Sequence, residues 1–484
     1  MAGRIQVKGR QARKGSRMKI ILPEKVKFIL AQLEEYGFEA YAVGGCVRDA
    51  CLGRIPNDWD ITTSASPEEV KGIFPKTFDT GIEHGTITVL VDKEGFEVTT
   101  YRIDGIYNDC RHPAQVQFTS SLVEDLKRRD FTINAMAYNE RTGLVDEFGG
   151  VKDLKDGILR CVGNPEERFG EDALRMMRAV RFCSQLGFRM EERTALAIKK
   201  LAPSLKKISA ERVQAELIKL LVSPHPDWIR LAWETGITAV VLPEFDRVMD
   251  QPQNNAHHIY SVGEHTLETL KAIRPDKVLR LTMLLHDMGK PQVVRLDEKG
   301  IYHFRGHAAS SAVIARTVMK RLKLDNDTSG KVYRLVANHS LYPQATPEGV
   351  RRGIFQIGED LFPLFLEVKR ADILGQSPQV RETKLNYLEQ ISQLYSEIMY
   401  RGDCLSLKNL AITGNDLLRD GVKPGKSLGE LLNSLLDDVL KDPGHNERTY
   451  LLERSRQLRR ELLERPDEKT VAPPENDIYT VSEN

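Results

Sequence analysis

The chain has 484 residues, with 70 Lys+Arg against 69 Asp+Glu and a formal net charge of +1. Hydrophobic residues make up 41% of the sequence and charged residues 29%, a composition that excludes a disordered or collagen-like chain. The length predicts roughly two to four domains. No apolar stretch approaches the roughly 20 residues that span a bilayer, and no signal-peptide pattern opens the chain. The six cysteines are scattered without a C-x-x-C pair, which indicates a reducing, cytoplasmic compartment and argues against a zinc ribbon.

The first 150 residues have a mixed α/β pattern. Seven Lys/Arg and no acid among the first nineteen residues predict a solvated, flexible basic arm over residues 1–18. Beyond the arm, runs rich in Val, Ile, Thr and Tyr predict strands at residues 40–43, 86–91 and 96–101. The turn-forming residues Asp92–Gly95 predict a hairpin loop between the last two of these strands.

A glycine-rich turn and a pair of aspartates form the most informative local cluster. Gly44-Gly45 follows the first strand and precedes a predicted short helix that carries Arg48, so backbone N–H groups and a guanidinium can reach the same phosphate. Asp58 and Asp60 have the i, i+2 spacing that puts two carboxylates on one face of a strand. Carboxylates so placed suit magnesium chemistry on a nucleoside triphosphate.

Together these motifs resemble the head of the class II tRNA nucleotidyltransferase and bacterial poly(A) polymerase superfamily. The segment Arg128–Ala135 is similar to the family's second motif, and Asp146–Leu154 is similar to its third, a hinge between head and neck. The resemblance covers most of residues 20–465. It implies that Asp58 and Asp60 hold Mg²⁺ and are catalytic. It also implies that the triphosphate and ribose of the nucleotide are bound by Gly45, Arg48, Arg129 and Asp130.

Residues 171–185 have the apolar spacing of a helix that carries several charged side chains. Asp172 and Arg175 would be neighbours on one helical face, either as a surface ion pair or as a reader of base edges. The carboxylate can accept from the exocyclic amine of C or A, and the guanidinium can donate to ring acceptors, whereas G and U present the opposite pattern. The family's E-D-x-x-R motif falls on these residues. The resemblance implies that Asp172 and Arg175 select the base and that Arg178 and Arg181 meet phosphates.

Residues 102–120 are predicted to form a long polar loop, and such loops are either functional or disordered. The segment resembles the family's flexible loop that permits the switch to ATP for the last addition. CC-adding relatives lack that loop, so its presence favours A addition. Members of the family often have Arg at the position of His112.

Histidines and aspartates recur in an ordered way in the second half of the chain. A helical histidine is more often a core or surface residue than a ligand, but an adjacent His-Asp pair with further His and Asp on other predicted helices favours a divalent-metal site. The pattern resembles an HD phosphohydrolase domain, which implies as ligands His265, His286, Asp287, His307, His339 and Asp372. A divalent transition metal and phosphoester hydrolysis follow from the resemblance, not from the spacing.

The fold class is therefore predicted as an α/β nucleotidyltransferase head, with a small mixed sheet plus helices, followed by an all-α neck, an HD-type helical body and a helical tail. Past the basic arm, the predicted limits are head 19–150, neck 151–225, HD-type body 226–375, tail 376–465 and disordered C-terminus 466–484.

The implied function is CCA addition to tRNA from CTP and ATP. Three alternatives stay open: a poly(A) polymerase or A-only adder, an HD phosphohydrolase with a vestigial head, and an RNA-binding scaffold. The net charge of +1 does not exclude RNA, because residues 160–220 hold 13 Lys/Arg and 8 Asp/Glu and affinity depends on local phosphate contacts. We predict no membrane partner.

Overall fold

A computed structural model describes residues 19–104, 116–254 and 259–463 of the chain. The predicted arm over residues 1–18, the tail from 466 and the centre of the 102–120 loop lie outside the described residues. The chain divides into two compact units. The first unit contains the residues up to Ala337 together with Leu374–Ser377, and the second contains Asn338–Ile373 and the residues from Pro378 onward. The residues of the predicted HD-type body are thus divided between the two units.

The head is built on a seven-stranded mixed sheet. Its strands and those of an adjoining pair are β1 (Ala40–Val43), β2 (Ile61–Thr63), β3 (Thr77–Gly81), β4 (Thr86–Val91), β5 (Glu94–Thr100), β6 (Arg102–Asp104), β7 (Val116–Phe118), β8 (Ala137–Asn139) and β9 (Gly143–Val145). The strand order is β3-β4-β5-β2-β1-β8-β9, and β6 pairs with β7. All of these pairs are antiparallel except β2 with β5, which run parallel with Ile61 opposite Val98. In this parallel register Asp60, the residue before β2, lies beside Glu97 of β5.

Outside these strands, the described part of the first unit consists mainly of helices. In the head and neck they are α1 (Glu24–Glu35), α2 (Gly45–Cys51), α3 (Pro67–Ile73), α4 (Leu122–Lys127), α5 (Gly150–Asp156), α6 (Pro165–Glu171), α7 (Leu174–Leu186), α8 (Glu192–Leu201) and α9 (Ala210–Leu221). They continue with α10 (Ile229–Glu234), α11 (Thr238–Val241), α12 (Pro243–Met249), α13 (Val262–Ala272), α14 (Lys277–Leu285), α15 (Lys290–Val293), α16 (His307–Arg321) and α17 (Asn326–Asn338).

The second unit is helical in its described part. Its helices are α18 (Pro347–Ile357), α19 (Phe362–Leu374), α20 (Pro378–Arg401), α21 (Gly414–Arg419), α22 (Lys426–Lys441) and α23 (Arg448–Leu463). Among the described residues, no helix combines the length and the apolar character needed to cross a bilayer. The predicted fold class, an α/β head followed by a mostly helical remainder, is confirmed.

Several local predictions differ from the structure. The hairpin between β4 and β5 turns on Asp92 and Lys93, both with positive φ, so its loop has two residues and not four, as suits a tight hairpin twist. The predicted strand at 96–101 begins at Glu94. The predicted 102–120 loop is flanked by the paired strands β6 and β7. The neck is not wholly α, because β10 (Ile158–Leu159) pairs in parallel with β11 (Arg189–Met190).

Candidate active site

The turn after β1 requires glycine at its first position. Gly44 has φ of +83°, a conformation that L side chains rarely adopt. Its N–H donates to the carbonyl of Met136 at 3.1 Å, and a Cβ there would lie 3.1 Å from Nη1 of Arg129. The turn thus brings backbone from β1 and α2 against an arginine that lies far away in sequence.

Three carboxylates meet at the end of the parallel strand pair. Asp58 and Asp60 precede β2 and do not lie within it as predicted, although the carbonyl of Asp60 still accepts from the N–H of Val43 at 2.9 Å. The register of Ile61 with Val98 places Asp60 beside Glu97 of β5. The pKa of Asp60 is raised, first by desolvation and then by the charge of Glu97, with Asp58 adding to it and Arg129 opposing.

This donor set fits a divalent cation. Oxygen ligands from carboxylates are what Mg²⁺ and similar hard cations bind, and mutual repulsion of carboxylates is relieved when a cation lies between them. The sequence pattern alone does not indicate Glu97. Its place beside Asp60 follows from the pairing of two strands whose partner residues are 37 positions apart.

Two arginines lie at the glycine turn, Arg48 of α2 and Arg129 of the second motif. Arg48 donates to both carboxylate oxygens of Asp49 and to Oδ1 of Asn134 at 2.7 Å. Arg129 lies 3.4 Å from Oδ2 of the buried Asp125. Burial alone would raise the pKa of Asp125, but Arg129 and Arg128 together lower it. The arginines are therefore held in place by acids on the protein side, as a fixed positive surface for a triphosphate requires.

Asp130 of the head forms an ion pair with a residue of the neck. Its carboxylate accepts from its own chain at Phe131 N and from Asn134 Nδ2, and it pairs with Arg178 of α7 at 2.7 Å. Burial would raise the pKa of Asp130, yet Arg178 outweighs it and the pKa falls to about 2. The pKa of Arg178 is raised in turn, with Asp130 the largest cause. Asp130 thus acts as a buried acceptor that positions Arg178.

The predicted helix over 171–185 is broken at Asp172. The structure has α6 and α7 on either side of Asp172-Ala173, and Asp172 is extended at φ −135° and ψ 104°. Its Oδ1 accepts from the N–H of Leu174 at 3.0 Å, as an N-terminal capping residue does. Its Oδ2 pairs with Arg212 of α9 at 2.8 Å. The prediction of a continuous helix over 171–185 is therefore wrong, although the carbonyl of Asp172 still accepts from the N–H of Arg175 at 3.0 Å.

Arg175 has its own set of partners. Its Nη1 donates to Glu171 at 2.5 Å and to the carbonyl of Arg168 at 3.1 Å, and its Nη2 donates to the carbonyl of Arg128 at 3.0 Å. Three acceptors fix the plane of a guanidinium, which carries five N–H donors. Asp172 and Arg175 are thus each oriented by a different acid–base partner.

The side chain of Arg181 is more deeply buried than that of a residue that binds a phosphate from solvent. It is 7% exposed, pairs with Glu216 of α9 at 2.5 Å, and donates to Gln185. Its pKa is lowered, with desolvation the largest cause and Glu216 opposing it. Arg178 is the more open of the two, with a side chain 35% exposed. This geometry does not support the predicted contact of Arg181 with phosphate, because the buried Glu216 already neutralises its charge.

A second cluster in the first unit contains four of the predicted HD-site residues. His286 Nε2 lies 3.3 Å from His265 Nε2 and 3.3 Å from Oδ2 of Asp287, and His307 Nε2 lies 3.5 Å from Oδ1 of Asp287. His265, His286 and Asp287 are buried. Lys290, also buried, pairs with Asp287 at 2.8 Å.

The ring orientations in this cluster are those of metal ligands. Nδ1 of each histidine faces a backbone carbonyl, at 3.0 Å for His265, 2.7 Å for His286 and 2.9 Å for His307. A carbonyl only accepts, so Nδ1 carries the proton and a neutral ring presents its lone pair at Nε2. Lone pairs that face each other at this distance are stabilised by a cation, and outer-shell carbonyls orient metal-binding histidines in this way.

The two remaining predicted HD-site residues lie in the second unit. His339 and Asp372 are both buried there. Lys369 donates to the carbonyl of His339 at 2.9 Å, and its pKa falls to about 8 because it is buried, with Asp372 opposing. The structure therefore brings together His265, His286, Asp287 and His307 in one unit and links His339 with Asp372 through Lys369 in the other.

Family models match three segments of the chain. Residues 40–160 match the Poly A polymerase head domain, residues 187–249 match the "Probable RNA and SrmB- binding site of polymerase A", and residues 301–454 match tRNA nucleotidyltransferase domain 2. The second segment begins just after α7 and includes α9. The models therefore cover both the carboxylate cluster and part of the neck.

Relatives match over nearly the whole chain. The CCA-adding enzyme of Lactobacillus helveticus is 40% identical over 413 residues, which are 85% of this chain and 91% of the relative. That of Enterococcus faecalis is 35% identical over 427 residues, 88% of this chain and 93% of the relative. The Bacillus stearothermophilus CCA-adding enzyme in complex with CTP has a TM-score of 0.66 at 32% identity and covers 90% of this chain and 98% of its own. At this similarity and coverage, the chain belongs to the CCA-adding enzymes, the tRNA nucleotidyltransferases of the class II superfamily that includes the poly(A) polymerases.

Proposed function

We propose that this chain adds C, C and A in turn to the 3′ end of tRNA, from CTP and ATP, with release of pyrophosphate and with Mg²⁺ as the metal. The observation that carries the proposal is the cluster of Asp58, Asp60 and Glu97 beside the arginines of the second motif, in an enzyme family that generally requires a divalent metal. The relative from Bacillus stearothermophilus, 32% identical to this chain, was solved with CTP bound.

Each group of side chains has a distinct task in this proposal. Asp58, Asp60 and Glu97 would hold the metal, which when bound would neutralise charge on the triphosphate and favour attack by the tRNA 3′-hydroxyl at the α-phosphate. The backbone at Gly45 and the guanidiniums of Arg48 and Arg129 would hold the triphosphate. Because acids of the protein fix these guanidiniums, little reorganisation is needed when the nucleotide binds.

Base selection is assigned to Asp172 and Arg175. The carboxylate accepts from the exocyclic amine of cytosine or adenine, and the guanidinium donates to the neighbouring ring acceptors. Uracil and guanine would place acceptors against the carboxylate, which leaves buried polar groups without partners and disfavours them strongly. The separate anchoring of Asp172 by Arg212 and of Arg175 by Glu171 supports a preformed reading surface.

The assay uses a tRNA that lacks CCA, supplied with CTP alone, ATP alone or both, with the products sized on a gel. We expect two additions with CTP alone and three with both nucleotides. Long A tails would support a poly(A) polymerase, and addition only of A would support an A-adding enzyme. Asp58→Ala and Asp60→Ala should abolish incorporation, whereas Asp156→Asn, in an exposed ion pair of α5, should not. Substantial incorporation by the Asp58→Ala/Asp60→Ala protein would contradict the metal assignment.

A second function is supported by the buried histidine cluster. We propose that His265, His286, Asp287 and His307 bind a divalent transition metal, the class of ion that imidazole donors prefer. The orientation of Nε2 in three rings carries this proposal. A metal held in this way would support phosphoester hydrolysis as a secondary activity.

Metal analysis and hydrolysis test this second proposal independently of nucleotide addition. Protein purified after growth with Ni²⁺, Co²⁺ or Mn²⁺ is assayed for bound metal and for cleavage of 2′,3′-cyclic AMP. We expect His286→Ala to lose both metal and hydrolysis. His303→Ala serves as the control, because His303 is an exposed residue of the same unit that pairs with Asp297. Equal metal content in wild type and His286→Ala would contradict the assignment.

A further inference from the structure

Arg212 forms an ion pair with Asp172, to which the proposed function assigns base selection and which lies 40 positions earlier in the chain. It stands in the first turns of α9 and is 26% exposed in its side chain. Its Nη2 lies 2.8 Å from Oδ2 of Asp172, and its Nη1 lies 3.5 Å from Oδ1. Two nitrogens of one guanidinium thus face two oxygens of one carboxylate, an arrangement that fixes direction as well as distance.

The carboxylate of Asp172 is constrained on both oxygens. Oδ1 accepts from the N–H of Leu174 and so begins α7, while Oδ2 accepts from Arg212. The backbone at Asp172 is extended between α6 and α7. Without Arg212, the helix cap alone would set the direction of the carboxylate, and the carboxylate plane could rotate about that single bond.

An ion pair and a hydrogen bond hold α7 and α9 together without Arg212. Arg181 of α7 and Glu216 of α9 form a buried pair at 2.5 Å. Ser184 of α7 donates to the carbonyl of Leu220 at 3.3 Å. The packing of α7 on α9 therefore has its own buried contacts, which remain when the Arg212–Asp172 pair is removed.

We infer that Arg212 is a positioning residue for nucleotide selection. It keeps the Asp172 carboxylate turned so that it accepts a hydrogen bond from the exocyclic amine of cytosine or adenine. A uracil or guanine carbonyl at the same place meets this fixed negative oxygen and is rejected. The inference rests on the proposed function, because it refines which residues give Asp172 its selectivity.

The test compares Arg212→Gln, Arg212→Lys and Glu211→Gln in steady-state addition of a single nucleotide to tRNA. Glu211 is the matched control, since it is the preceding residue of α9 and forms an exposed ion pair with Lys323. For each protein, kcat and KM are measured with CTP, UTP, ATP and GTP, and melting temperature is measured in parallel. The ratio of kcat/KM for CTP over UTP is the deciding quantity.

We expect Arg212→Gln to lower the C-over-U and A-over-G ratios by about tenfold or more, with a melting temperature close to that of Glu211→Gln. Arg212→Lys keeps one charged donor and should recover part of the ratio. In an Asp172→Asn background, Arg212→Gln should change the ratio no further, because Arg212 acts through Asp172.

Two results would overturn the inference. One is an Arg212→Gln protein that slows addition of all four nucleotides equally and leaves the ratios unchanged. The other is a loss of selectivity that adds in full to that of Asp172→Asn. If Arg212→Gln does not fold, the ratio measured for Arg212→Lys decides in the same way. A wild-type protein that incorporates no nucleotide contradicts the proposed function itself, a result seen before any variant is compared.

Discussion

Asp130 offers the sharpest test of how charge is organised between head and neck. It is 7% exposed, and its carboxylate pairs with Arg178 and accepts from Phe131 N and Asn134 Nδ2. Asparagine has nearly the same size and keeps one acceptor, so Asp130→Asn removes the charge with little change in packing. The variant therefore isolates the electrostatic contribution of the carboxylate.

The size of the effect follows from the pKa of Asp130. Its value of about 2 in the fold compares with about 3.9 for an unperturbed aspartate, and each pKa unit corresponds to about 1.4 kcal/mol. The carboxylate therefore contributes on the order of 2 to 3 kcal/mol to the free energy of unfolding at neutral pH. Arg178 keeps a third of its side chain in water, so its exposure limits the additional loss when its partner is removed.

The pH dependence has a defined sign. Because the pKa of Asp130 is lower in the folded state, its contribution is present above the unfolded pKa and is lost as pH falls through the folded pKa. The free energy of unfolding of the wild type should exceed that of Asp130→Asn by roughly 2 to 3 kcal/mol at pH 7 and at pH 5. The difference should shrink as the pH falls below about 4.

Urea denaturation followed by tryptophan fluorescence suits this measurement. The three tryptophans of the chain, Trp59, Trp228 and Trp233, all belong to the first unit, which also contains Asp130. Asp156→Asn removes an aspartate from an exposed ion pair and should change the free energy of unfolding by less than about 1 kcal/mol. A difference between wild type and Asp130→Asn that stays constant from pH 5 to pH 3, or that matches Asp156→Asn, would refute the reasoning.

Two further substitutions probe the carboxylate cluster and its support. Glu97→Gln should lower kcat for nucleotide addition by about 10- to 100-fold and raise the Mg²⁺ concentration needed for half-maximal rate. Glu94 is an exposed residue of the same strand, and Glu94→Gln should change neither quantity. Equal rates for the two variants would show that Glu97 does not belong to the metal site. Gly150→Ala would place a Cβ against the carbonyl oxygen of Thr132 and should destabilise the protein by about 1–3 kcal/mol. Gly170→Ala, where a Cβ meets nothing within 4 Å, should be neutral or stabilising in the same thermal melts.

Local sequence pattern predicted the elements whose burial follows a regular period. β1 and β4 have the predicted limits, because apolar residues in both segments are buried in the core of the head. The same logic failed at residues 171–185. Apolar residues continue at helical spacing on both sides of Asp172, so the pattern does not reveal a break that depends on a side-chain cap at Leu174.

The site was predictable only where its residues are close in sequence. The pairs within Gly44–Arg48 and within Asp58–Asp60 are local motifs, and their chemistry could be inferred from spacing. Glu97 joins Asp60 through the register of a parallel strand pair, and Arg212 joins Asp172 across the packing of two helices. Neither position carries a signal in its own neighbourhood, since one is an ordinary exposed glutamate in a strand and the other an ordinary arginine in a helix.

The broken helix at Asp172 changes how a protein surface can read a base. If Asp172 and Arg175 formed an ion pair with each other, each would satisfy the other, and a base would have to separate them before binding. Instead, the carboxylate of Asp172 is paired with Arg212 and the guanidinium of Arg175 is paired with Glu171. Each of the two charged groups is therefore oriented, and its charge balanced, by a separate side chain of the protein. These ion pairs within the protein offset the cost of desolvating the carboxylate and the guanidinium. A base edge can then bind to both groups without a rearrangement of the side chains. If Asp172 and Arg175 select the base as proposed, selectivity for C and A over U and G depends on four residues acting in two pairs, and we expect that weakening either anchor reduces selectivity more than affinity.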